Sequence, residues 1–530
     1  MIIILGMLAV FYAIVIWVLY ATRQKEKPSF EEYSVGGRAY GPWYVAMCYV
    51  NSWWPGTVFI AFFGISAGAG VFGLYGLAYS TFGIALMYFL ATRAWRWGKR
   101  YELRSQPDLL ALRFSSPTVR VVASIIGVVS LFPWTVLGMQ ALGEIFEIAS
   151  VGAWSVGTCL VIGLVAIVVR QYWTVRMGMR GLIMTDMFQG LVAYAGAAAV
   201  CLVLLSGLAG GPISFAALAQ VPAEILNVPG DGDDYGPWYL FSLIFTGVLG
   251  SMCWPTSFQR IYTASSVRSV KSGTLMTLLI SGVFYTLLML VGIAATSWDV
   301  VASDPQAGWF TLTNEYGGTW LLGLGVTMVF AASMGHVDAS VQVSGLQVAN
   351  DIVQSEKRPL TDKQLMIISK GSMVVYMILA AAIAYMTFGM ERLQLLSQMA
   401  YQGIVQLAVP LFLGIFLKFG SKAGAVTGMI AGFVTAVGLT LFWPDDILAL
   451  GSLTGGMVAL GVNLLCYIVF SLIFPASEQA KARVDELFDV ASRPAVTSVV
   501  EDAEEILDEA QPEAPSDTRP EAPITQRGQQ

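Results

Sequence analysis

The chain has 530 residues, 56% of them hydrophobic and only 12% charged, with a formal net charge of −6. Soluble globular chains are about 25% charged, so a soluble enzyme, a disordered chain and a fibrous protein are excluded. One polytopic membrane protein remains, and 54 Gly and 15 Trp suit it, because bilayer helices pack through glycine and anchor at the interface through tryptophan.

Apolar runs of about 20 residues, the length that crosses the hydrocarbon core, occur at 1–21, 43–67, 71–92, 119–145, 154–172, 181–206, 238–258, 273–296, 319–345, 366–389, 396–417, 424–443 and 448–474. These thirteen predicted spans are continuous, not alternating, so they are helices and not strands of a β-barrel. With the N-terminus outside, 28 of the 29 Lys and Arg residues fall in cytoplasmic segments; the exception is Arg392. The outer loops 209–237 and 297–318 contain neither residue. This bias predicts N-terminus out and C-terminus in. Span 1 has its basic residues after it and none before it, which favours an anchor over a cleaved signal peptide. The five cysteines, Cys48, Cys159, Cys201, Cys253 and Cys466, all lie in spans without a CxxC, so no disulfide framework or zinc site is expected.

Two spans carry a helix break. Span 2 contains NSWWPG (51–56) and span 7 contains GSMCWP (250–255). Proline removes a backbone donor, and the freed carbonyls and helix ends of paired broken spans can hold a cation and an anionic solute group. Two ordinary proline kinks are the plainer alternative. Ionisable residues within spans are few: Asp186 near the cytoplasmic end of span 6, and His336 with Asp338 in span 9. His336 is the only histidine, which removes bis-histidine metal and haem sites from consideration. His336 and Asp338, two apart on a helix, point in different directions and are not expected to pair. After span 13, residues 478–490 fit a short amphipathic helix, and the rest of the tail is rich in Pro, Glu, Asp and Ala and reads as disordered. From 475 onward the chain holds 13 acidic and 5 basic residues, so the net negative charge belongs to this tail.

Four stretches carry a family resemblance: YSVGGRAYGPW (33–43), RGLIMTDMFQGL (180–191), WPTSFQRIYTASS (254–266) and AASMGHVDASVQVSGLQVANDI (331–352). Together they resemble the solute:sodium symporter family over about residues 30–420, with motifs nearest its monocarboxylate and pantothenate branch. The resemblance implies an all-α, leucine-transporter-type fold with 5+5 inverted repeats. Residues 1–42 would be an additional helix and cytoplasmic loop, 43–208 the first repeat (spans 2–6) and 209–417 the second (spans 7–11). Residues 418–474 would add two helices, and 475–530 the acidic tail. It also implies no covalent chemistry, a cell (inner) membrane location, and a small organic solute and membrane lipid, not nucleic acid, as partners. Sodium, or else a proton, would be the coupling ion, and no other cofactor is implied.

Residue by residue, the family's sodium site falls on the carbonyls of Asn51 and Trp54 and on two hydroxyl positions that here are Gly335 and His336. The missing hydroxyls leave two alternatives. In one, sodium shifts to Asp186 and Asp338, which match positions some members use for a further sodium. In the other, protonated His336 takes the ion's place, its ordinary pKa near 6.5 suiting such a switch. Trp53, Trp54, Ser251, Trp254 and Pro255 would line an aromatic solute cavity suited to a small carboxylate or an amino-acid-like zwitterion. Arg260 is expected too near the cytoplasmic surface to reach it. The proline carrier's aromatic contacts would fall on Gly247 and Ser251, which argues against proline. A solute sensor acting through a separate partner is the alternative of another class.

Overall fold

In a computed structural model, the described residues are all except 25–27, 54, 209, 212, 228–237, 356–358, 389–391 and 493–530. Among them the secondary structure is helical, with two isolated bridges and no strand. In chain order the helices are α1 (Ile2–Ala21), α2 (Phe30–Val35), α3 (Pro42–Trp53), α4 (Thr57–Ala69), α5 (Leu74–Arg100), α6 (Gln106–Phe114), α7 (Pro117–Ser150), α8 (Val156–Met177), α9 (Met179–Gly190), α10 (Gly196–Leu205) and α11 (Tyr239–Ser251). There follow α12 (Pro255–Thr263), α13 (Val267–Ala295), α14 (Asp299–Ser303), α15 (Gly308–Gln347), α16 (Asp362–Met386), α17 (Arg392–Ile404), α18 (Ala408–Phe416), α19 (Lys422–Phe442), α20 (Gly455–Ile473) and α21 (Glu478–Ser492). Helices apolar on every face can form only where lipid or protein covers them all round.

Eleven helical runs are long and apolar enough to cross a membrane, and the bent pair α11–α12 makes a twelfth. The difference from the thirteen predicted spans lies in span 2. It is divided at Pro55, so that α3 is short and α4 runs on through Gly70–Gly73 toward α5. Every other predicted span has its helix, and span 6 is α9 and α10 joined by a π-helical turn, Leu191–Ala195.

The breaks follow from their prolines. Pro55 cannot donate to the carbonyl of Asn51, four residues earlier, and α3 stops at Trp53. Pro255 sits in the first turn of α12, where its missing N–H costs nothing. There the chain bends by 41°, and the carbonyl of Met252 accepts a hydrogen bond from Gln106 Nε2 of α6 at 2.8 Å. At the centre stands α15, buried at every residue from Gly325 to Gln347 and packed against α3, α4, α7, α9 and α16.

The amphipathic stretch 478–490 is the core of α21, which docks on the end of α5. Leu487 is fully buried, Trp97 Nε1 donates to its carbonyl at 2.7 Å, and Arg96 Nη1 donates to the Ala491 carbonyl at 2.6 Å. The acidic segment beyond Ser492 lies outside the described residues.

Candidate functional site

The site grows from the broken end of α3. With the helix ended, the Ser52 carbonyl receives no helical donor; His336 Nδ1 of α15 donates to it at 3.0 Å. One residue back, the Asn51 side-chain amide donates to Asp186 Oδ1 at 2.8 Å and to Gln189 Oε1 at 3.3 Å, both on α9. The Cys48 thiol donates to Asp186 Oδ2 at 2.9 Å. From α12, Arg260 Nη2 stands 3.9 Å from Asp186 Oδ2, and Nε donates to Ser52 Oγ at 3.4 Å. Asn51, Asp186 and Arg260 are fully buried, and His336 nearly so. Four atoms of this cluster, Asn51 Oδ1, Gln189 Nε2, Arg260 Nη2 and His336 Nε2, are buried without a hydrogen-bond partner.

Asp338 faces the other way, as its spacing from His336 requires. Its Oδ2 is in direct contact with Arg170 Nη1 of α8, and its Oδ1 accepts from Gln171 Nε2 at 2.6 Å. The same guanidinium donates to Thr185 Oγ1 at 2.7 Å, to Thr174 Oγ1 at 3.2 Å and to Gln189 Oε1 at 3.5 Å. Gln189 therefore touches both clusters, and the two buried carboxylates belong to one polar core shared by α3, α8, α9, α12 and α15.

The sequence reading names two aspartates and one histidine within spans and places Arg170 and Arg260 in cytoplasmic segments. Both arginines are fully buried against those aspartates. The apolar run of span 5 ends near 172, but α8 continues to Met177, so Arg170 lies two turns inside the helix. Arg180, earlier on the same helix as Asp186, turns away from it and donates to the Thr22 carbonyl at 3.2 Å. The segment T-D-x-x-Q did hold the clue to the partners: Thr185, Asp186 and Gln189 recur at helical spacing, which marks one buried polar face.

The predicted solute residues fall into two groups. Trp53 and Ser251 meet at Gly83, where an added Cβ would lie 2.7 Å from Ser251 Cβ and 3.0 Å from Trp53. Trp53 is edge-on to Tyr49 at 5.1 Å and to Tyr79 at 6.5 Å. Tyr79 also packs on Gly247, the position where the proline carrier has an aromatic contact. Trp254 stands apart, between Trp134 and Tyr401 at 6.3 and 6.2 Å, and Pro255 abuts Gly127 of α7. Trp54 lies outside the described residues.

The model of the sodium:solute symporter family matches residues 33–432. The symporter YhjB of Bacillus subtilis is 24% identical over 56% of this chain, and the chain spans 60% of its length. The sodium/proline symporter of Staphylococcus aureus is 22% identical, over 72% of this chain and 74% of its own. Among solved structures, a substrate-bound, outward-open Na+-coupled sialic acid symporter superposes with a TM-score of 0.73 at 15% identity, covering 90% of this chain and 98% of that one. That likeness is one of fold.

Proposed function

Because the chain belongs to the sodium:solute symporter family, we propose that it is a secondary active transporter that couples a cation to a small organic solute by alternating access. The observation that carries this reading is the convergence of broken α3 and α12 on one buried polar core, with Asp186 and His336 opposite the break. Residues 43–208 and 209–417 act as inverted repeats around that core, and solute binds where the two breaks face each other. Trp53, Ser251, Trp254 and Pro255 offer it apolar area, and a half-helix end meets its carboxylate. The solute is a carboxylate or an amino-acid-like compound, a class that includes the proline and sialic acid carried by the relatives.

Sodium, as cargo, is held at Asp186, helped by the Asn51 and Trp54 carbonyls and by Asn51 Oδ1, which has no other partner. These are oxygen donors, as a hard cation requires. Family membership favours this ion. The alternative ion is a proton. His336 Nδ1 already donates to the Ser52 carbonyl, so an arriving proton adds at Nε2, which has no partner. Protonated, the ring places a positive charge beside the break.

Uptake of carboxylates and amino acids into proteoliposomes under separate sodium and proton gradients tests the reading. Sodium-driven uptake that persists in His336→Gln assigns sodium; uptake that follows pH, ignores sodium and disappears in His336→Gln assigns the proton. Solute binding with no uptake under either gradient overturns transport.

A further inference from the structure

Asp186 and Asp338 are both fully buried carboxylates of one polar core, each facing a fully buried arginine, but at different distances. Asp186 is held by two neutral donors, Cys48 and Asn51, and its nearest guanidinium nitrogen is 3.9 Å away. Asp338 is in direct contact with Arg170, whose guanidinium is fixed from the other side by Thr185 and Thr174, while Gln171 takes the second carboxylate oxygen. A carboxylate removed from water needs a compensating positive charge nearby. At Asp338 that charge is in direct contact through one nitrogen, Nη1, and its guanidinium is anchored by further hydrogen bonds to Thr185, Thr174 and Gln189. An ion arriving from solution would have to displace it.

We propose that Arg170 is a resident cation that keeps Asp338 closed to transported ions, so that of the two buried carboxylates only Asp186 accepts the coupling cation. The inference rests on the symport reading and sharpens it: this polar core holds at most one carboxylate-held cation, and Arg170 sets that number as a positioning residue that touches neither solute nor ion.

The test is equilibrium binding of radioactive sodium ion to the purified full-length protein in nanodiscs, for the parent, Asp338→Asn, Arg170→Gln and the double variant Arg170→Gln/Asp338→Asn. Asp338→Asn is expected to bind sodium within about two-fold of the parent. Arg170→Gln is expected to gain a sodium site, and the double variant, which removes both charges and so leaves no unpaired group, to lose that gain. A loss of ten-fold or more in Asp338→Asn overturns the proposal, as does an Arg170→Gln protein that elutes as a single folded species without added binding. Because ion binding is read without solute or gradient, a failure here is distinct from a failure of uptake, which bears on symport itself.

Discussion

Position 335, where the resemblance places a hydroxyl, lacks even a Cβ, and the structure gives the reason. A Cβ there would run into the side-chain amide of Asn51, which bridges to Asp186. The glycine is thus a consequence of the Asn51–Asp186 contact. Gly335→Ser, although it restores the family's hydroxyl, should destabilise the protein by about 1–3 kcal/mol through overpacking, and Gly335→Ser/Asn51→Ala should recover most of that loss. Thermal unfolding in detergent reads both, and a Gly335→Ser melting curve superimposable on the parent's would contradict the account. At this scale the sequence disclosed half of the site. Asn51, Asp186, His336 and Asp338 stood out as polar residues in apolar runs. Their partners Arg170 and Arg260 did not, because a charge near the end of an apolar run is equally consistent with a loop, and only the length of α8 and the packing of α12 decide between them.

Among the elements, α18 shows how a helix end is completed by a neighbour. The last carbonyls of a helix have no internal donor. Here Arg113 of α6, 1% exposed, donates to the Gly414, Leu417 and Phe419 carbonyls at 2.7, 2.8 and 3.1 Å, and Arg93 of α5 to Ile415 at 2.6 Å. Arg113→Met keeps the bulk, removes three donors, and should cost about 1–3 kcal/mol by stranding the buried Gly414 carbonyl, with faster amide exchange at 414–419 as its local signature. Helix α21 is an element whose existence was legible from its amphipathic pattern, whereas its seat on α5 was not, since Trp97 and Leu487 are 390 residues apart. Leu487→Asp places a charge in a fully buried position and should release the helix, seen as rapid tryptic cleavage at Lys481 and Arg483. Acid should act in the same direction. The Tyr101 hydroxyl donates to Glu486 at 2.8 Å and holds its carboxyl below the usual carboxylate range. A lowered folded-state pKa means that this contribution is present above the unfolded value, about 4.3, and is lost as pH falls through the folded one. Cleavage of α21 by an acid-active protease, measured as a function of pH, should therefore rise below about pH 4.

For the whole molecule, the apolar runs and the bias of Lys and Arg were sufficient to read an all-helical chain with paired broken spans. The count was less certain than the class, because a proline in a span makes one crossing resemble two short helices. Which helices touch across the molecule is a matter of three-dimensional packing that no run of residues records. One of those contacts makes an instrument of the protein. His336 is the sole imidazole in the chain, and its ring bridges α15 to the end of α3, two bodies that alternating access would move past each other. Protein grown with nitrogen-15 histidine would therefore give a single pair of ring resonances, and their positions, followed as solute and ions are added, would report in one spectrum whether that bridge is closed or open.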